Sequence, residues 1–128
     1  MDFIINDPRI DADHSTILQL LDSSRDLPDG ADPRDLRRLL VKVKDHVVVH
    51  FVDEEFIFEK QYSMPPDYVT MHKQEHVRIR DVVLDSVRDA EDPDGPVIRE
   101  RLTSIRREIE RHIFEVDAQM NDYLPARR

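Results

Sequence analysis

Residues 46–76 read HVVVHFVDEEFIFEKQYSMPPDYVTMHKQEH, and how this stretch folds decides the architecture of the chain. Taken as two helices joined at Met64-Pro65-Pro66, it places His50 and Glu54 one turn apart on the first and His72 and His76 one turn apart on the second. Side chains four residues apart stack on one helix face. An antiparallel pairing therefore turns four metal-competent groups toward one another. The run VVVHFV is β-branched and strand-like in composition. However, the positions on either side keep a helical period, and so short a lone strand has no partner in this chain.

The same period extends outward in both directions. Asp7-Pro8 is a helix start, with Asp7 as the cap and Pro8 where a missing N–H costs nothing. From there Ile10, His14, Ile17, Leu18 and Leu21 form an inward stripe over about residues 8 to 25. Asp32-Pro33 repeats the start signal after the turn at residues 27–31. The second helix then carries Leu36, Leu39, Leu40, Val43, Val47, His50, Phe51, Glu54, Ile57 and Phe58 inward, to about Tyr62. Proline ends it, because the residue before proline is pushed out of the helical region. A third helix from about Asp67 to Ala90 turns Val69, His72, His76, Ile79, Val83 and Val87 inward. Beyond the turn at residues 92–96, a fourth carries Ile98, Leu102, Ile105, Ile109, His112, Ile113, Val116 and Met120, and ends before Pro125. Short turns favour antiparallel neighbours, so the expected fold is all-α, an up-down-up-down antiparallel four-helix bundle. Residues 1–6 are expected to form a short apolar N-terminal arm that covers one end of it.

Composition narrows the function. The chain of 128 residues is expected to be a single domain spanning 1–128, long enough for one core. It is 39% hydrophobic and 37% charged with two glycines, which suits helices with a charged exterior. A net charge of -9 without a dominant basic block argues against nucleic acid as a partner. The absence of cysteine excludes disulfides, thiolate ligands and thiol nucleophiles. No segment reaches the roughly 18 to 20 apolar residues needed to span a bilayer, and the N-terminus lacks a secretory pattern, so a cytoplasmic protein is expected.

What the core needs explained is its histidines. Five of the six, His14, His50, His72, His76 and His112, fall on inward stripes, with Glu54 and Asp117 nearby. One such histidine is usually an ordinary hydrogen-bonded core residue. Five without a shared partner would each cost roughly 1–3 kcal/mol in unsatisfied polar groups. The set exceeds the three or four ligands of a mononuclear zinc site and suits two metals with the carboxylates between them. Nitrogen and oxygen donors without thiolate favour iron over copper or structural zinc and leave manganese open. The spacing of His112 and Asp117 adds a local demand. Five residues of ideal α-helix set side chains about 140° apart, so a π-type turn or unwinding is expected between Ile113 and Asp117.

With these motifs in view, the chain resembles the hemerythrin family, and in particular the single-domain bacteriohemerythrins. The resemblance rests on IDADH at 10–14, HFVDEE at 50–55, HKQEH at 72–76, and His112-Ile113 with Asp117, in the family's order along most of the chain. It implies a non-heme di-iron centre that binds O2 reversibly for carriage, storage or sensing. It further implies that His72, His76 and His112 hold the coordinatively filled iron and that His14 and His50 hold the iron with an open position. Glu54, Asp117 and an oxo or hydroxo group bridge the two irons in this picture. Ile17, Phe51, Ile109 and Ile113 match an apolar O2 pocket that keeps water out, and they are equally ordinary core residues at helical spacing. The implied protein is an O2 binder rather than an enzyme, monomeric or weakly homo-oligomeric. The alternatives are a di-iron redox enzyme acting on peroxide, nitric oxide or Fe(II), and an iron storage or sensing protein.

Two positions depart from the family pattern. Glu108 stands where tryptophan is usual and His46 where tyrosine is usual, each one turn before a ligand histidine. Facing inward, they would modify the pocket by supplying protons, admitting water or pairing with each other, and His46 could act as a substitute ligand. Facing outward, they are a solvent-reaching carboxylate and a histidine at the edge of the core.

Overall fold

The computed structural model describes residue 5 and residues 7–124. Four α-helices account for most of them: α1 (Pro8–Asp26), α2 (Pro33–Phe56), α3 (Pro66–Asp89) and α4 (Gly95–Arg111). No strand occurs among the described residues. The start signals behave as their chemistry requires. The Asp7 carboxylate accepts the backbone N–H groups of Arg9 and Ile10, Asp32 accepts that of Arg34, and Asp94 accepts that of Val97. In α1, α2 and α4 a proline also sits within the first helical positions, where it forfeits no intrahelical bond.

Packing runs α1 on α2, α2 on α3, α3 on α4 and α4 back on α1, and α2 also packs against α4, an arrangement compatible with a four-helix bundle. At one end the connections are tied by arginines. Arg99 of α4 donates to the carbonyls of Ser24 in the last turn of α1 and of Leu27 and Pro28 just beyond it, and Arg37 of α2 donates to that of Ala90 after α3. Those of Ser24, Leu27 and Ala90 lie at helix C-termini, where the last carbonyls lack intrahelical partners.

The interior is two apolar clusters. One contains Ile17, Leu21, Leu36, Leu40, Val43, Val47, Phe51, Ile79, Val83, Ile98, Leu102, Ile105, Ile109 and Ile113. The other contains Ile5, Ile10, Ile57, Phe58, Tyr68, Met120 and Leu124. Along every helix the buried histidines and carboxylates fall where the chain passes from one cluster to the other. Apolar walls thus close a polar layer on both sides. Of the expected N-terminal arm, Ile5 is fully buried in the second cluster; its other residues lie outside those described, as does Pro125.

Two segments depart from α-geometry. The fourth helix widens into a π turn at His112–Val116 and then tightens into a 3-10 turn at Asp117–Asp122, as the His112 to Asp117 spacing requires. The second departure corrects an expectation. The second helix does not run as regular α-helix to Tyr62 but passes at Phe56 into a π turn over Ile57–Gln61. The Ile57 N–H is shared between the Asp53 and Glu54 carbonyls. Ile57 and Phe58, both within this turn, are buried side by side.

Candidate metal centre

Each element contributes to one buried cluster: His14 from α1, His50 and Glu54 from α2, His72 and His76 from α3, and His112 and Asp117 from the irregular end of α4. All seven side chains are buried. Their donor atoms fall into two groups, Glu54, His72, His76, His112 and Asp117 in one, and His14, His50, Glu54 and Asp117 in the other, with each group's atoms within 4.8 Å of one another.

Both carboxylates belong to both groups, and each divides its oxygens between them. Glu54 Oε1 lies 2.6 Å from His72 Nε2 and 3.1 Å from His76 Nε2, while Oε2 lies 2.7 Å from His50 Nε2 and 3.6 Å from His14 Nε2. Asp117 Oδ1 lies 2.7 Å from His72 Nε2 and 3.0 Å from His112 Nε2, while Oδ2 lies 2.9 Å from His14 Nε2.

Short as these distances are, most of the contacts lack the alignment of hydrogen bonds. The Nε2 atoms of His14, His50, His72 and His112, Glu54 Oε2 and both Asp117 oxygens have no hydrogen-bond partner. So many orphaned buried polar atoms are costly unless something else satisfies them. Converging lone pairs from imidazole nitrogens and carboxylate oxygens are what a cation requires, and their N/O character suits iron.

The carboxylates and imidazoles also fix each other's charge. Burial alone pulls His14 down, but Asp117 and Glu54 beside it push it up to about 9. Burial opposes protonation of His50 and His72 as well, yet Glu54 with Asp13 raises the first to about 10, and Asp117 with Glu54 raises the second to about 10. Burial pushes Glu54 upward, and His50 and the other imidazoles overcome this to hold it well below the carboxylate range. For Asp117, burial and then Glu54 push upward, and His112 foremost brings it down. The Tyr68 phenol is pushed up by burial and by the same two carboxylates, so it stays a hydrogen-bond donor.

The sequence reading missed the groups behind the cluster. Asp13 Oδ2 lies 2.9 Å from His50 Nδ1, and Glu55 Oε2 lies 2.9 Å from His76 Nδ1. A carboxylate only accepts, so each Nδ1 carries a proton, and Nε2 is the nitrogen left to offer its lone pair to a cation once it has given up its own proton. The only signal for them is position, next to His14 and Glu54 in sequence. Aromatic walls fix the rings further: Phe51 stacks on His76 at 4.0 Å and 8°, and Phe58, delivered by the π turn after α2, stacks on His72 at 4.9 Å and 26°. Because outer carboxylates of this kind set tautomer and orientation, Asp13→Ala is expected to weaken metal binding at the His14–His50 group by about 10- to 100-fold. Competition against a chelator measures it, and an unchanged affinity would dismiss the role.

Ile17, Phe51, Ile109 and Ile113 are all buried in the first apolar cluster, next to the histidines. Of the two readings of His46 and Glu108, the structure has the outward one. His46 is exposed, and the half-buried Glu108 carboxylate lies 2.8 Å from Arg78 and 3.5 Å from Arg111. Each stands four residues before a histidine already at the edge of its stripe. Four residues advance about 400°, so each lies a further 40° or so round, outside the core face.

Fold and site together define a cation-binding four-helix bundle with histidine and carboxylate donors. The family model described as Hemerythrin HHE cation binding domain matches residues 7–124, and the chain belongs to that family. No curated protein and no solved structure matches it. Among the described residues no helix is long and apolar enough to cross a membrane.

Proposed function

We propose that this chain is a non-heme di-iron protein that binds O2 reversibly inside the bundle, with Glu54 and Asp117 shared between the two irons. The observation that carries this reading is the unequal sharing of donors. Two groups have both carboxylates in common, but one adds three histidines and the other only two. The group of His14 and His50 therefore leaves more room for a small exogenous ligand, while His72, His76 and His112 complete the other.

Two ferrous irons held by these residues would supply the electrons that reversible O2 binding needs. The chain's own residues do the rest. Asp13 and Glu55 hold the His50 and His76 tautomers, and Glu54 and Asp117 offset the positive charge that the site must bury. Ile17, Phe51, Ile109 and Ile113 exclude water, which protects a reduced centre from oxidation. We also read the chain as a single cytoplasmic domain, monomeric or weakly self-associating.

Exposing the anaerobic Fe(II)-loaded protein to air tests the reading. A visible charge-transfer band that appears with air and disappears on removing O2 is the expected result. Immediate irreversible conversion to the diferric form would replace it with the redox-enzyme reading.

A further inference from the structure

The Asp117 carboxylate reaches both donor groups only because the backbone ahead of it is irregular, and one side chain from another helix is fastened to that backbone. Tyr68 is buried on α3, and its O–H donates to the Val116 carbonyl at 2.8 Å. Val116 is the joint between the π turn and the 3-10 turn, with φ -107° and ψ -59°, away from ordinary helical values. Where a wide turn meets a tight one, the regular ladder of carbonyl partners is interrupted.

The Val116 carbonyl and the Asp117 N–H belong to the same planar peptide unit. At its other edge that unit is held too, because the Asp117 N–H bonds to the carbonyls of His112 and Ile113. The peptide leading into Asp117 is thus pinned on both sides, by its own helix and by Tyr68. Tyr68 is in turn located by α3: its ring stands edge-on to His72, one turn along, at 5.3 Å and 79°. The histidine that Asp117 Oδ1 approaches to 2.7 Å is this same His72.

We propose that Tyr68 is the positioning residue for Asp117, joining the α3 histidines to the carboxylate beyond the π turn and so setting the geometry of both donor groups. It touches no metal in this role and acts through the Val116–Asp117 peptide. The inference rests on the reading of Asp117 as a shared ligand, and it adds a residue to that reading.

Tyr68→Phe keeps the ring and its packing and deletes only the O–H. Wild-type protein, Tyr68→Phe and the control Tyr123→Phe, whose ring also touches Tyr68 at 5.4 Å, are compared by anaerobic titration with cobalt(II), followed in the visible, and by amide hydrogen exchange of the metal-free forms. Uptake of two ions by the wild type tests the shared-ligand reading by itself. Given that uptake, Tyr68→Phe is expected to lose about 10- to 100-fold in metal affinity. Its cobalt spectrum should change, and exchange should quicken over residues 116–120 while α1 to α3 stay protected; Tyr123→Phe should behave as wild type. Wild-type affinity and exchange in Tyr68→Phe would overturn the proposal. So would a loss of affinity accompanied by faster exchange throughout the bundle, since that is a general packing effect.

Discussion

Glu54→Ala is expected to abolish metal loading at both groups, whereas His14→Ala is expected to spare the group built on His72, His76 and His112. The reasoning starts from the division of oxygens, with Glu54 Oε1 facing His72 and His76 and Oε2 facing His50 and His14. Structural zinc sites gain roughly 10–16 kcal/mol from about four ligands, so one ligand is worth about 2.5–4 kcal/mol, or about 60- to 700-fold in affinity. Losing Glu54 subtracts that from both groups and also removes negative charge that would help bury two cations. Losing His14 subtracts it from one. Metal content after gel filtration, with circular dichroism to confirm the fold, separates the two variants. Equal losses would mean that Glu54 is not shared.

Proton release on metal loading is the second large effect. Metals need neutral imidazoles, and His14 at about 9 with His50 and His72 at about 10 are protonated at pH 7 in the metal-free protein. Loading at pH 7 should therefore free about three protons per chain from these residues, and apparent affinity should climb steeply as pH rises toward 9–10. Stability of the metal-free protein follows from the same values. A histidine raised on folding contributes fully below its unfolded value of about 6.5, and the contribution is lost as pH rises through its folded value. Glu54 and Asp117 are depressed on folding, so theirs is present above about pH 4.5 and is lost as pH falls through their folded values. Metal-free stability is expected to be greatest between about pH 4.5 and 6.5 and to decline on both sides. A weakly buffered metal titration with an indicator dye reads the protons directly. Loading without release would show that the imidazoles were already neutral.

How much of this could be read from the chain depended on the kind of signal. Ligand pairs one turn apart and prolines behind aspartate caps are local and periodic, so the bundle and the seven converging residues followed from spacing. The π turn at His112–Val116 was legible for the opposite reason, since a five-residue spacing conflicts with a regular helix. The π turn at Ile57–Gln61 carries no such conflict, because Ile57 and Phe58 are both apolar and fit an ordinary stripe. Tyr68 was passed over for Val69, although it is one turn before His72 and is the more deeply buried of the two. Asp13 and Glu55 could not be told from surface acids, because what matters is the ring nitrogen each meets on another helix. His46 and Glu108 stayed open between two readings in the sequence, because a position one turn from a core histidine need not share its face.

Anaerobic titration of the metal-free protein with Fe(II), with bound iron counted per chain and the oxidised product examined for magnetic coupling, bears most directly on the shared-carboxylate centre. Two irons per chain, coupled to each other, are expected from two donor groups with Glu54 and Asp117 in common. Saturation at one iron, or two irons magnetically independent of each other, would contradict it.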